Sequence, residues 1–118
     1  MKENIIQQKS YRFAVRIINL YKYLTEQKKE YILAKQILRS VTGIGANVEE
    51  AIGAQSRKDF VSKLSIAYKE ARETIYWLKL LHDTNYLNDK EFASIIAECE
   101  EIIKIISKIQ TTTKKNTR

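Results

Sequence analysis

The sequence predicts an all-α fold, an antiparallel up-down-up-down four-helix bundle, on three observations. The 118 residues include no proline and three glycines, where average usage would supply about six and about eight. Apolar residues recur at spacings of three and four in four successive blocks. Short polar breaks separate the blocks, so neighbouring helices must run antiparallel to bury their stripes together. A chain of this length builds one domain around one core. No strand alternation or longer internal repeat competes with this reading.

The first helix is expected over residues 3–26, with Ile6, Phe13, Ile17, Leu20 and Leu24 on one face. The polar run TEQKKE ends it. The second, over 30–53, carries Leu33, Ile37, Val41, Ile44, Val48 and Ile52. SRKD then reads as a capping box, Ser56 accepting from a backbone N–H while Asp59 reaches back. It opens a third helix over 57–84, whose stripe Phe60, Leu64, Ala67, Ala71, Ile75, Leu78 and His82 lies close to a heptad seam. Asn88 with Glu91 is a second capping signal, and opens a fourth helix over 89–110 through Phe92, Ile95, Ile96, Cys99, Ile102, Ile103 and Ile106. The bundle thus occupies residues 1–110. The remainder, TTTKKNTR, is expected to be a basic flexible tail containing Lys114, Lys115 and Arg118.

Helices that served only one core would be polar elsewhere, and these are not. The third has another line at Ile66, Glu70, Glu73, Trp77, Leu80 and Leu81; the second has one at Gln36, Ser40, Gly43, Asn47, Glu50 and Ala54; the first adds Tyr11, Val15 and Ile18. Gly43 and Gly45 each cost up to about 1 kcal/mol of helix propensity relative to alanine. Either they allow a close approach by another backbone or they mark a kink, and the unbroken apolar period through Ile52 favours the approach. Gly53 is expected to be the left-handed residue that ends the second helix. The surplus of apolar and small surface argues for a homo-oligomer.

The run SVTGIGANVEEAIGAQSRKDF and its continuation to Leu87 resembles the four-helix bundle proteins known as the 23S rRNA-intervening sequence protein family. Ile44, Ala46, Asn47, Val48 and Glu50 match the first part of the family pattern, Gly53 and Ser56 its turn, and Asp59 and Phe60 its acidic-Phe pair. Ile66, Ala67, Glu70, Tyr86 and Leu87 match the rest. Gly45 stands where many relatives have proline, Ala51 where many have glycine and Gln55 where many have arginine. The resemblance implies a bundle that assembles into a ring-like homopentamer. One family branch is the accessory protein of diversity-generating retroelements, which associates with a reverse transcriptase and nucleic acid.

Catalytic chemistry is not indicated. A ferritin-like metal site would need Glu-x-x-His on two helices; the chain has one histidine, and no glutamate stands three residues before it. Neither catalytic residues, metal ligands nor a cofactor are expected. Glu50, Glu70 and Glu73 are read instead as partners for Arg39, Arg72, Lys69 or Asn47. Arg72 and His82 are too far apart for the Arg-His motif of small helical ribonucleases. His82 is read as a helix C-terminal residue at the core edge, and Cys99 as inert packing.

Binding is better supported. The formal charge is +7, which suits an anionic partner or simply keeps copies apart. On the third helix Lys58, Ser65, Lys69, Arg72, Tyr76 and Lys79 share a narrow arc, with cations to follow phosphates and a ring for base stacking. Lys9, Arg12 and Arg16 form a flank on the first. The reading is a non-enzymatic homo-oligomer that binds nucleic acid, RNA in particular, through basic outer faces. The alternative is a protein-binding scaffold, for example a reverse transcriptase accessory protein, whose charge serves solubility. One cysteine and no signal-like or membrane-spanning run point to the cytoplasm.

Overall fold

The computed structural model describes residues 4–116. They form four helices, α1 (Ile5–Glu26), α2 (Ile32–Ile52), α3 (Arg57–Asp83) and α4 (Asp89–Asn116), in a body of 50 × 25 × 21 Å. Each helix packs against its neighbours around the bundle, α1 on α2, α2 on α3, α3 on α4, with α4 closing back on α1 along the thinnest seam. This is the all-α up-down arrangement the periodicity predicts.

Local chemistry sets the ends. Asn4 Oδ1 caps α1 by accepting from the Gln7 N–H at 3.0 Å. Ser56 Oγ accepts from the Asp59 N–H at 3.0 Å. At α4 the capping box is reciprocal: Asn88 Oδ1 accepts from Glu91 N–H at 2.8 Å, and Glu91 Oε1 from Asn88 N–H at 3.0 Å. Two orphan donors are satisfied at once. α2 has no side-chain bond at its Tyr31 cap; Glu30 Oε1 instead takes the Ala34 N–H at 2.9 Å.

Gly53 differs from expectation. It ends α2 at φ −87°, outside the left-handed region, in a tight exit turn closed by the Ala54 N–H on Ala51 O at 3.0 Å. The left-handed positions belong to Lys29 (φ 57°) and Asn85 (φ 71°) in the other two turns. There the N–H of Glu30 reaches back to Leu24 O and that of Tyr86 to Leu81 O, closing the wide loops that a left-handed residue permits.

α4 also runs past its expected end. The segment from residue 111, expected as a tail, is helix to Asn116, while Arg118 lies outside the described residues. Gln110 Nε2 donates to Ser65 Oγ on α3 at 2.9 Å. Thr111 and Thr113 turn their hydroxyls back onto the carbonyls of Ser107 and Ile109, so a polar sequence still satisfies itself as helix. Lys114 and Lys115 suit the negative end of the helix dipole.

The core is the four stripes brought together. Phe13, Ile17, Leu24, Ile37, Val41, Ile44, Val48, Leu64, Leu78, Ile102 and Ile106 are buried, as are the alanines at 34, 51, 67 and 71. Two expectations shift by one position. Ile52 is exposed and Ala51 buried in its place; Leu81, assigned to the outer line, is fully buried, while His82 stays half-exposed. Between α2 and α3 a polar pair sits inside the core. The Ser40 and Thr74 hydroxyls share a hydrogen bond at 2.8 Å, and each also lies within bonding distance of a carbonyl of its own helix, Ser40 Oγ 3.2 Å from Ile37 O and Thr74 Oγ1 2.8 Å from Glu70 O. Cys99, also buried, packs with Sγ 3.4 Å from Ala71 O, and burial pushes its thiol up to about 12. Such a thiol is inert at neutral pH.

Candidate nucleic-acid interface

Positions 69, 72, 76 and 79 fall at helical spacings of three and four, so Lys69, Arg72, Tyr76 and Lys79 stand in one row on the outside of α3. All four are exposed, and so is Lys58 a few turns earlier. No ion pair or hydrogen bond ties Lys58, Lys69, Arg72 or Lys79 to another described residue. Beside the row runs a groove of about 540 Å³ between α3 and α4, lined by Arg72, Ile75, Tyr76, Lys79, Glu100, Ile103 and Lys104. Ser65, expected in the same arc, is taken by Gln110. Lys104 was not anticipated; its position directly after the apolar Ile103 on the fourth helix is the signal that would have placed it beside α3.

The flank on α1 is organised differently. Lys9 Nζ pairs with Glu101 at 3.1 Å. Arg16 pairs with Glu98 and also donates to Ser94 Oγ at 3.0 Å. These cations close the α1–α4 seam and are neutralised there. Arg12 alone of the three is exposed without an ion pair among the described residues.

The line of small and polar residues on α2 and α3 meets itself. Arg39 pairs with both Glu70 and Glu73, and Glu73 Oε2 accepts from the Trp77 indole N–H at 2.8 Å. Asn47 Nδ2 donates to the Gly43 carbonyl at 2.8 Å. Glu50 pairs with Lys63 at 2.9 Å, and that hydrogen bond holds the ammonium above its usual range. A Cβ at Gly43 would overlap the Glu70 carboxylate. The close approach foreseen at Gly43 is therefore made by a side chain of the same protomer. At Gly45 a Cβ would meet nothing within 4 Å among the described residues. Ile66 remains exposed, as do Tyr11, Val15 and Ile18 on α1.

The Gly43 packing gives a sharp expectation. Gly43→Ala gains up to about 1 kcal/mol of helix propensity but displaces Glu70 from Arg39, so its net effect on stability should be small. In a Glu70→Ala background the same change should stabilise by the full propensity gain. Urea unfolding of the four proteins of this cycle measures it; equal effects in both backgrounds would contradict the packing.

At the far end of α3, His82 Nε2 lies 2.7 Å from Asp89 Oδ1 and Nδ1 3.0 Å from Asp83 Oδ1, with the ring stacked on Phe92 at 4.3 Å. Hydrogen bonds to Asp89 and then Asp83 raise its pKa above the ordinary 6.5. Because the folded value is the higher one, this stabilisation is fully present below the unfolded pKa. It is lost as pH rises through the folded pKa. Between about pH 6 and about pH 9 the urea midpoint should fall more in the native protein than in His82→Gln.

Among the described residues no group of three or more His, Cys, Asp and Glu side chains is placed to hold a metal ion, and no helix is long and apolar enough to cross a membrane.

Comparison with known proteins agrees with this architecture. The family model described as 23S rRNA-intervening sequence protein matches residues 2–108. A crystal structure of a protein of unknown function from the S23 ribosomal protein family of Bacteroides thetaiotaomicron is 52% identical, with a TM-score of 0.91 over 94% of this chain and 99% of that one. No functionally curated protein matches the chain.

Proposed function

The chain belongs to the 23S rRNA-intervening sequence protein family, and from that premise we propose that it is a non-catalytic, self-associating bundle of the cytoplasm that binds nucleic acid, RNA in particular, through the outer face of α3. The observation that carries this reading is the contrast between two basic flanks. Lys9 and Arg16 on α1 are paired with carboxylates of α4, whereas Lys69, Arg72 and Lys79 on α3 stand exposed and without ion partners among the described residues. Cations that perform no structural work in the protomer are available to a phosphate backbone.

Self-association is supported by surface the protomer does not cover. Tyr11 is 71% exposed, with Val15 and Ile18 following it along α1. Ile18 borders a groove between α1 and α2 with Tyr21, Leu38 and Thr42. Gly45, one turn beyond Thr42, gives up helix propensity although among the described residues nothing would obstruct a Cβ there. A ring of five copies would multiply weak cationic contacts. The second reading, a scaffold that holds a different protein such as a reverse transcriptase, rests on the same apolar flank.

The test is RNA binding followed across salt concentration, with the mass of the free protein measured by light scattering. Affinity should fall linearly on logarithmic axes by about 0.7 per phosphate contacted for a single strand, and the mass should be a multiple of the protomer's. Salt-independent binding, or none at low salt, would refute the nucleic-acid reading; a single-chain mass would refute the assembly.

A further inference from the structure

We infer that the groove between α3 and α4 receives an unstacked nucleobase, so that this face selects single-stranded over duplex nucleic acid. The inference rests on the nucleic-acid reading above and narrows it. A surface that held phosphates alone would need cations and nothing more. Here the cations border a trench with an apolar floor, made by Ile75 and Ile103, both half-buried against the core. Its volume of about 540 Å³ falls within the range of about 300–1,000 Å³ that accommodates small-molecule groups.

Tyr76 supplies the stacking platform. The residue is 56% exposed, and its ring lies edge-on to Trp77, with centroids 5.0 Å apart at 68°. Trp77 is itself tied to Glu73 through its indole N–H, so the platform is backed by a held neighbour. A base laid against Tyr76 would leave its flanking phosphates to Arg72 and Lys79 on one rim and Lys104 on the other. Glu100 is the one acidic residue lining the trench among the described residues. Its carboxylate repels phosphate and accepts from exocyclic amino groups, which places the base and not the backbone against that wall. Bases within a duplex remain stacked on one another and paired, and cannot enter without the cost of unstacking.

The experiment compares a fluorescein-labelled single-stranded RNA of about a dozen nucleotides with the same strand annealed to its complement, by anisotropy at fixed salt. The proteins are the native chain, Tyr76→Phe and Tyr76→Ala, each checked for helix content by circular dichroism. The single strand should bind more tightly. Tyr76→Ala should weaken it by about tenfold while leaving the duplex unchanged, and Tyr76→Phe should retain native affinity. Equal affinity for both forms, or a Tyr76→Ala protein that binds the single strand normally, would overturn the inference and leave the cationic reading standing. Absence of binding to either RNA at low salt would overturn both.

Discussion

Changing Lys69, Arg72 and Lys79 together to Glu is expected to lower RNA affinity by at least about a hundredfold near 0.1 M salt and to make the salt dependence shallower by about two logarithmic units per decade. Three phosphate contacts at about 0.7 each account for both figures, and the reversed charges add repulsion. Folding should survive. The three side chains are exposed and hold no ion partner among the described residues, and glutamate is as good a helix former as lysine or arginine. The control is the opposite pair. Lys9→Glu with Arg16→Glu sets like charges against Glu101 and Glu98, so it should lower the urea midpoint and leave RNA binding intact. If the α3 variant bound RNA normally while the α1 variant lost it, the two flanks would have been assigned the wrong way round.

Phe13→Ala should be the most damaging single truncation in α1, at about 3–5 kcal/mol. That is a large share of the roughly 5–15 kcal/mol that holds a domain of this kind together. Phe13 is 1% exposed and is a large ring on the core stripe of a helix whose contact with α4 is thin, so little else is positioned to collapse into the space. Urea unfolding at an unchanged slope would measure it. Ile18→Ala, on the outer side of the same helix, should cost within about 0.5 kcal/mol in the dilute protomer. A destabilisation at Phe13 no greater than that at Ile18 would contradict the burial described for α1.

The helices were legible because period and punctuation agree. Ile6, Phe13, Ile17 and Leu24 return at one angle, and Asn88 with Glu91 marks the start of α4 in side-chain chemistry that the structure reproduces bond for bond. What the sequence concealed are matters of one position or one partner. Periodicity could not separate Ala51 from Ile52, or Leu81 from His82, since each pair straddles the edge of a stripe. It could not show that Ser40 and Thr74 answer each other inside the core, because a small polar residue at helical spacing reads equally well as surface. Gly53 illustrates a different limit. A glycine after a helix invites a left-handed reading, yet here the turn closes without it, and Lys29 and Asn85 carry the positive φ instead. For the candidate site, the cationic row on α3 was visible from spacing alone. The fate of Lys9 and Arg16 was not, since their partners lie on the last helix, far away in the chain.

That seam between first and last helices bears on how the molecule comes together. The broad contacts join segments consecutive in the chain, α1 with α2, α2 with α3 and α3 with α4, and the thin one spans nearly its whole length. Proteins dominated by such local contacts assemble within microseconds to milliseconds. The three broad pairings are all between consecutive helices, and the two ends of the polypeptide meet along the thin seam, where Lys9 pairs with Glu101 and Arg16 with Glu98. Local opening is therefore expected to cost least along that seam, and faster amide exchange in α1 than in α2 and α3 would show it.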